Sequence, residues 1–208
     1  MPSEYYNRNF RPQHFYHIFN RGAYKHKIFK DKKDYDTFIE ILIYYLKFPT
    51  AKYFSYKDTV QKPYSKVRNL HVDSVRIVAY CLMPNHFHFI LKPMPTADNK
   101  TNISNLMRRL MITYAMYFQS HHKHSGAIFQ GRYKNVVVDS SEQLLQLSKY
   151  IHLHKTSYSS LPEYLKKTDP TDWLYPEYVL KLTKNYSSFL SSPTKENIAQ
   201  KLTKLSLE

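Results

Sequence analysis

The run Met83-Pro84-Asn85-His86-Phe87-His88-Phe89-Ile90-Leu91 sets two histidines on either side of one aromatic within an apolar stretch. Read as a β-strand, its alternate side chains face opposite ways, so His86 and His88 point to one side and Phe87, Phe89 and Leu91 to the other. One face is then able to hold a metal ion while the other builds a core. Taken alone, the pattern also describes a strand with two half-exposed histidines in a chain that contains 11 of them. The neighbouring segments have to decide between the two.

Immediately upstream, Val72 to Leu82 has strand character, and Met83-Pro84-Asn85 reads as a short turn, so the two strands form an antiparallel hairpin closed by Pro93 and Pro95. Towards the N-terminus, His14 to Asn20 reads as a strand that stops at Asn20-Arg21-Gly22, where glycine permits a turn of positive φ. Tyr24 to Lys30 reads as a second short strand or a basic loop. From Asp31 or Asp34 as cap, Tyr35, Phe38, Ile39, Leu42, Ile43 and Leu46 recur at helical spacing until Pro49. Residues 49–70 lack periodicity and carry Lys52, Lys57, Lys62, Lys66 and Arg68, the pattern of a basic mobile loop.

Downstream, Asn102 or Ser104 caps a helix with Ile103, Leu106, Met107, Leu110, Met111, Tyr114 and Phe118 on one face and Arg108 and Arg109 beside it. His121-His122-Lys123-His124-Ser125-Gly126 ends that helix and reads as a solvated polar loop rather than a second metal site. Ile128 to Val138 reads as a strand. Asp139, Ser140 and Ser141, followed by Glu142, cap a helix running through Leu144, Leu147, Tyr150, Ile151 and His154. Leu161 to Glu208, with amphipathic stretches around 175–182 and 195–205, reads as an accessory tail. The order strand, helix, strand, strand, helix, strand, helix predicts an α+β, ferredoxin-like split βαβ fold with the H-x-H strand in the middle of an antiparallel sheet.

Composition narrows the function. A chain of 208 residues with 42% hydrophobic residues supports one well-buried domain. Lys and Arg number 31 against 16 Asp and Glu, a formal charge of +15 that calls for a polyanionic partner, nucleic acid first. No apolar run reaches the ~18–20 residues of a membrane span and no signal peptide is evident, which predicts a cytoplasmic protein with no membrane partner. The single cysteine, Cys81, cannot form an internal disulfide and removes any zinc-finger explanation of the charge. The 20 tyrosines suit base stacking and ordinary packing alike.

Two imidazoles on one strand face are an incomplete metal shell. Tyr150 and His154, four residues apart, share a helical face, so a helix laid across the sheet can bring His154 to the ion and the Tyr150 hydroxyl beside it. The same spacing also describes an amphipathic helix with two semi-buried rings.

Ala79 to Leu91 with its M-P-N-H-x-H core, Asn20-Arg21-Gly22, Phe129-Gln130-Gly131-Arg132-Tyr133-Lys134 and Lys149-Tyr150-Ile151-His152-Leu153 together resemble the single-tyrosine HUH transposases, in particular the REP-associated tyrosine transposase-like branch. The resemblance spans residues 14–158. It implies an HUH endonuclease fold over 1–158, with 49–70 as a loop insertion and 159–208 as a helical accessory tail. It further implies a divalent-metal-dependent (Mg²⁺ or Mn²⁺) single-stranded DNA endonuclease and strand transferase acting beside DNA hairpins, as a monomer or homodimer. His86 and His88 would be the HUH ligands and Tyr150 the nucleophile forming a 5′-phosphotyrosine.

The chain departs from the family in two places. His154 stands where an Asn or Gln usually supplies the third ligand, which favours nitrogen-friendly metals such as Mn²⁺, and Lys155 replaces the usual proline. Arg21, Arg108, Arg109, Arg132, Lys134, Lys149 and Lys155 are the candidate DNA contacts. Two other readings remain open: a domesticated binding module without catalysis, and metal-dependent hydrolysis without a covalent tyrosine.

Overall fold

The computed structural model describes residues 8–49, 54, 74–95, 103–154, 156–169 and 171–193. Four strands, β1 (Phe15–Arg21), β2 (Val75–Met83), β3 (His86–Pro93) and β4 (Lys134–Val138), form one sheet in the order β2-β3-β1-β4. Every neighbouring pair is antiparallel. With α1 (Lys32–Lys47) between β1 and β2 and α2 (Ile103–His122) between β3 and β4, this is the ferredoxin-like arrangement expected. β3 is an interior strand, paired to β1 on one side and β2 on the other.

Side-chain alternation then assigns the two faces. Tyr16 and Ile18 of β1 and Phe87, Phe89 and Leu91 of β3 bury against Phe38 and Leu42 of α1 and Leu110, Tyr114 and Phe118 of α2. At roughly 1.5–3 kcal/mol per fully buried large apolar side chain, this layer contributes strongly to the stability of the fold. The opposite face carries His17, Phe19 and Arg21 of β1, His86, His88 and Ile90 of β3, and Lys134, Val136 and Val138 of β4. Across it lies α3 (Ser141–Leu153), whose Leu144, Leu147 and Ile151 pack on Val78, Cys81, Ile90 and Val138. Asp31 caps α1 by accepting from the Asp34 amide at 3.0 Å, and Ser140 caps α3 by accepting from Gln143 at 3.1 Å.

Two expectations are corrected, and one left open is decided. The segment after β1 is the loop alternative, with a single 3-10 turn over Ala23–Lys25. Gly22 sits in extended backbone at φ −61°, and the positive φ values fall on Tyr24 and Lys25. What Gly22 provides is closeness, because a Cβ there would lie 2.1 Å from the His26 carbonyl oxygen. β4 begins only at Lys134, since Gly131 takes a φ of +82° and Phe129 makes an isolated bridge to Gly22. The loop expected at 49–70 and the amphipathic stretch 195–205 lie outside the described residues, apart from Pro49 and Phe54.

After α3 the chain turns back along the outer edge of β2. The Leu82 amide donates to Tyr158, the Ser160 amide to Tyr80 and the Tyr175 amide to Ile77. The segment thereby covers an edge that would otherwise offer a row of unpaired backbone groups. Three short helices follow: α4 (Leu161–Tyr164), α5 (Glu177–Leu180) and α6 (Tyr186–Ser191). Tyr164, Val179 and Tyr186 from these helices join the core beneath α3. Among the described residues no helix is long and apolar enough to cross a membrane.

Candidate active site

The strand and helix reading of the sequence meets at one point. His86 and His88 on β3 and His154, the C-cap of α3, each offer a ring nitrogen, and these three atoms lie within 4.8 Å of one another. The His88 and His154 rings stack with centroids 5.3 Å apart, and His86 stands edge-on to both. Although the helix ends one residue before His154, the Tyr150 and His154 rings stay 5.0 Å apart, and the Tyr150 ring is 5.7 Å from that of His88.

The histidines are oriented from outside. His86 Nδ1 is 2.7 Å from Asn85 Oδ1, and His88 Nδ1 is 2.9 Å from Nε2 of His17 on β1. With each Nδ1 engaged by an outer partner, Nε2 is the nitrogen left for an ion, the usual logic of metal-binding histidines. His86 Nε2 is buried and makes no hydrogen bond within the described residues. An all-imidazole set of this kind fits a divalent ion with affinity for nitrogen, and of the Mg²⁺ and Mn²⁺ that the resemblance implies it suits Mn²⁺ the better.

Burial keeps His17, His86 and His88 neutral. His17 is pushed down to about 3 by desolvation and then by His154. His86 is pushed down to about 4 by desolvation, His154 and Arg21, and His88 lies well below the ordinary histidine value, chiefly through desolvation. Neutral imidazole is the form that ligates a metal.

The segments singled out in the sequence also brace the turn before the site. The Gly22 amide donates to Asn85 at 2.8 Å, the Ile28 and Phe29 amides both donate to the Pro84 carbonyl, and the Gln130 amide donates to Arg21 at 2.8 Å. Asn20 Nδ2 reaches the Gly131 carbonyl at 3.1 Å. Three segments distant in sequence thus hold one hairpin turn.

The family model for IS200-like transposases matches residues 50–154, half of the chain, and takes in the two HUH histidines, Tyr150 and His154. The chain belongs to the IS200-like transposase family. No curated protein matches it. Among solved structures it is similar to one described as a REP-associated tyrosine transposase bound to a REP hairpin, with a TM-score of 0.52 and 14% identity. That match covers 83% of this chain and 91% of the other, and it establishes a shared fold.

The remaining candidates for DNA contact in this transposase separate by location. Arg21 stands beside His86 at the end of β1, with a buried Nε that has no hydrogen-bond partner among the described residues. Lys134 shares that face, and Arg132, two residues earlier, is exposed. Lys149 departs from expectation: it is 2% exposed, and its ammonium donates to the Phe189 carbonyl at 2.9 Å and to the Ser192 carbonyl. It ties α3 to the end of α6, where a cation complements the helix dipole, and is not presented to a phosphate.

Arg108 and Arg109 lie on α2, across the sheet from the histidines. Arg108 bonds Asn105, and Arg109 donates to the Pro49 carbonyl over the Tyr45 ring. Lys155 is outside the described residues. Sequence reasoning missed His17, which shows only as an inward position two residues before Phe19, and Gln146, one turn before Tyr150, whose buried Oε1 has no hydrogen-bond partner among the described residues.

Proposed function

We propose that this transposase nicks and rejoins single-stranded DNA beside a hairpin through a covalent intermediate on Tyr150. The observation that carries this reading is the meeting of Tyr150 with His86, His88 and His154 at one end of the sheet. A divalent ion held by these three histidines would neutralise charge on the scissile phosphate.

The chain's own part is placement. The Tyr150 oxygen bonds to phosphorus, and the bond from phosphorus to the 3′ oxygen of the preceding nucleotide breaks. The phenolic proton passes to water and the departing oxygen takes one up, leaving a 5′-phosphotyrosine and a 3′-hydroxyl. Attack by another 3′-hydroxyl reverses the step on a new strand, with no loss of phosphodiester energy. α3 would direct the phenol and His154 while the sheet carries His86 and His88, so few degrees of freedom would remain to be frozen in the transition state.

Arg21, Arg132 and Lys134 would take the flanking phosphates, while Arg108 and Arg109 would reach only DNA that wraps to the far side. A hairpin is the favoured substrate because the similar structure was solved with a REP hairpin bound. Residues 1–158 would form the catalytic unit, with the docked tail bracing α3.

The test is incubation with labelled single-stranded DNA carrying a hairpin, with Mn²⁺. A covalent adduct that disappears in Tyr150→Phe and in His86→Ala is expected. Cleavage that persists in Tyr150→Phe would instead mean hydrolysis without a covalent tyrosine. Tight hairpin binding with neither cleavage nor adduct would mean a binding module.

A further inference from the structure

On the other face of the sheet, the start of α1 meets the end of α2, and four metal-ligating side chains come together there. Asp31 and Asp34 belong to the cap and first turn of α1, and His121 and His122 are among the last residues of α2. This corrects the reading of His121 and His122 as part of a solvated loop. We infer that Asp31, Asp34, His121 and His122 form a second divalent-metal site, of a type suited to Zn²⁺ or Co²⁺, separate from the histidines around Tyr150.

The four side chains are close enough to share one ion. One ligand atom from each residue lies within 4.8 Å of all the others. His122 Nε2 is 2.9 Å from both carboxylate oxygens of Asp34, and His121 Nε2 is 3.6 Å from Asp31 Oδ2. Ligands ~2.0–2.1 Å from a tetrahedral ion are separated by roughly 3.3 Å, and the His122–Asp34 and His121–Asp31 distances fall on either side of that value. Two imidazoles with two carboxylates are a borderline-soft donor set that favours zinc-like ions over Mg²⁺.

Outer contacts already aim the ligands. The Asp34 amide donates to Asp31 Oδ1 at 3.0 Å, which leaves Oδ2 turned towards His121. Asp34 is fully buried, and it accepts from the Lys30 amide at 2.7 Å and the Tyr117 hydroxyl at 3.1 Å. The His121 ring stacks on Tyr117 with centroids 5.3 Å apart, and His122 packs on Phe118 at 4.5 Å. Supporting hydrogen bonds and ring contacts of this kind fix ligand direction in metal sites. With neutral imidazoles the cluster carries two negative charges, and a divalent ion cancels both. Such an ion would pin the two helices behind the β-sheet to each other at one end.

The test uses the full chain stripped of metal and titrated with Co²⁺, read by visible absorption and by bound metal per chain. The unaltered protein is expected to bind two ions, one with the intense ligand-field absorption of a tetrahedral site. His121→Ala, at an exposed position, should lose that absorption and one equivalent. His86→Ala combined with His88→Ala should keep it. If only one ion binds and the His86/His88 variant abolishes it, the second site does not exist and His122 and Asp34 form an ion pair only. Should the double variant fail to fold, His121→Ala alone decides: unchanged stoichiometry and absorption would overturn the inference. Neither readout depends on DNA cleavage, so failure of the proposed chemistry at Tyr150 leaves this result intact.

Discussion

His17 Nε2 lies 2.9 Å from His88 Nδ1, and the two rings stack with centroids 5.1 Å apart and an interplanar angle of 18°. When His88 Nε2 ligates an ion, its proton sits on Nδ1 and is donated to His17, so His17 holds His88 in the ligating tautomer and fixes its ring. Replacing His17 by Ala removes the acceptor and opens space beside the ring. Divalent-ion affinity at the His86/His88/His154 site should fall by about 10–100-fold. Mn²⁺ titration by calorimetry measures this, and circular dichroism should show the fold retained. Unchanged affinity would mean that packing against Phe19 and His154 is enough to orient His88.

Gly22 gives a stability prediction with a steric cause. A Cβ at that position would meet the His26 carbonyl oxygen at 2.1 Å, a backbone atom that cannot swing away. Gly22→Ala must displace the 3-10 turn or the turn at Pro84–Asn85, to which the Gly22 amide is bonded. The cost should be at least ~1–3 kcal/mol by urea denaturation, as for other overpacked sites. Because the same turn precedes His86, metal affinity should fall with it.

Much of this was legible in the sequence because it is local. Alternation placed His86 and His88 opposite Phe87 and Phe89, Asp31 and Ser140 announced their caps, and Pro49 bounded α1. Bringing His154 beside His86 and His88 needed only the four-residue spacing from Tyr150, and that closeness holds even though His154 falls just past the helix. What could not be read depends on contacts between distant segments. His17 becomes a partner of His88 only through the β1–β3 register, which pairs Phe19 with His88. Lys149 looked like a surface cation because nothing in the helical pattern says that the tail returns to cover it. His122 looked solvated because Asp34, its partner, lies 88 positions away. The late start of β4 follows from Gly131 and the bridge of Phe129 to Gly22, and neither shows in strand propensity.

The docking of the tail rests on a buried polar chain that is open to test. His152 Nδ1 and the Tyr186 hydroxyl are 2.7 Å apart, that hydroxyl donates to Ser148 Oγ at 2.9 Å, and His152 Nε2 meets Ser160 Oγ at 2.7 Å. Tyr186→Phe deletes the central hydroxyl and strands His152 Nδ1 in the interior, while Ser148 Oγ keeps its bond to the Leu145 carbonyl. A loss of about 1–3 kcal/mol is expected for a buried group left without its partner. Hydrogen exchange should rise first in residues 177–191 and only then in the sheet. Uniform exchange across the chain would show that the tail and the sheet open as one unit.

Acid should destabilise the protein in a defined window. Burial, the largest cause in each case, pushes His17 and His152 down to about 3 and His86 to about 4, and holds His88 well below its ordinary value. In the unfolded chain these groups titrate near ~6.5. Above that value both states are neutral at these positions and stability is independent of their titration. As pH falls from ~6.5 towards ~4, the unfolded state takes up protons that the folded state refuses, so stability drops by ~1.4 kcal/mol per pH unit for each such histidine. Thermal midpoints measured from pH 8 to pH 4.5 should therefore be flat at the top and fall below ~6.5. His17→Gln, which removes one of the buried imidazoles, should reduce the acid slope. A midpoint that rises on acidification would contradict the neutral, buried state of this cluster.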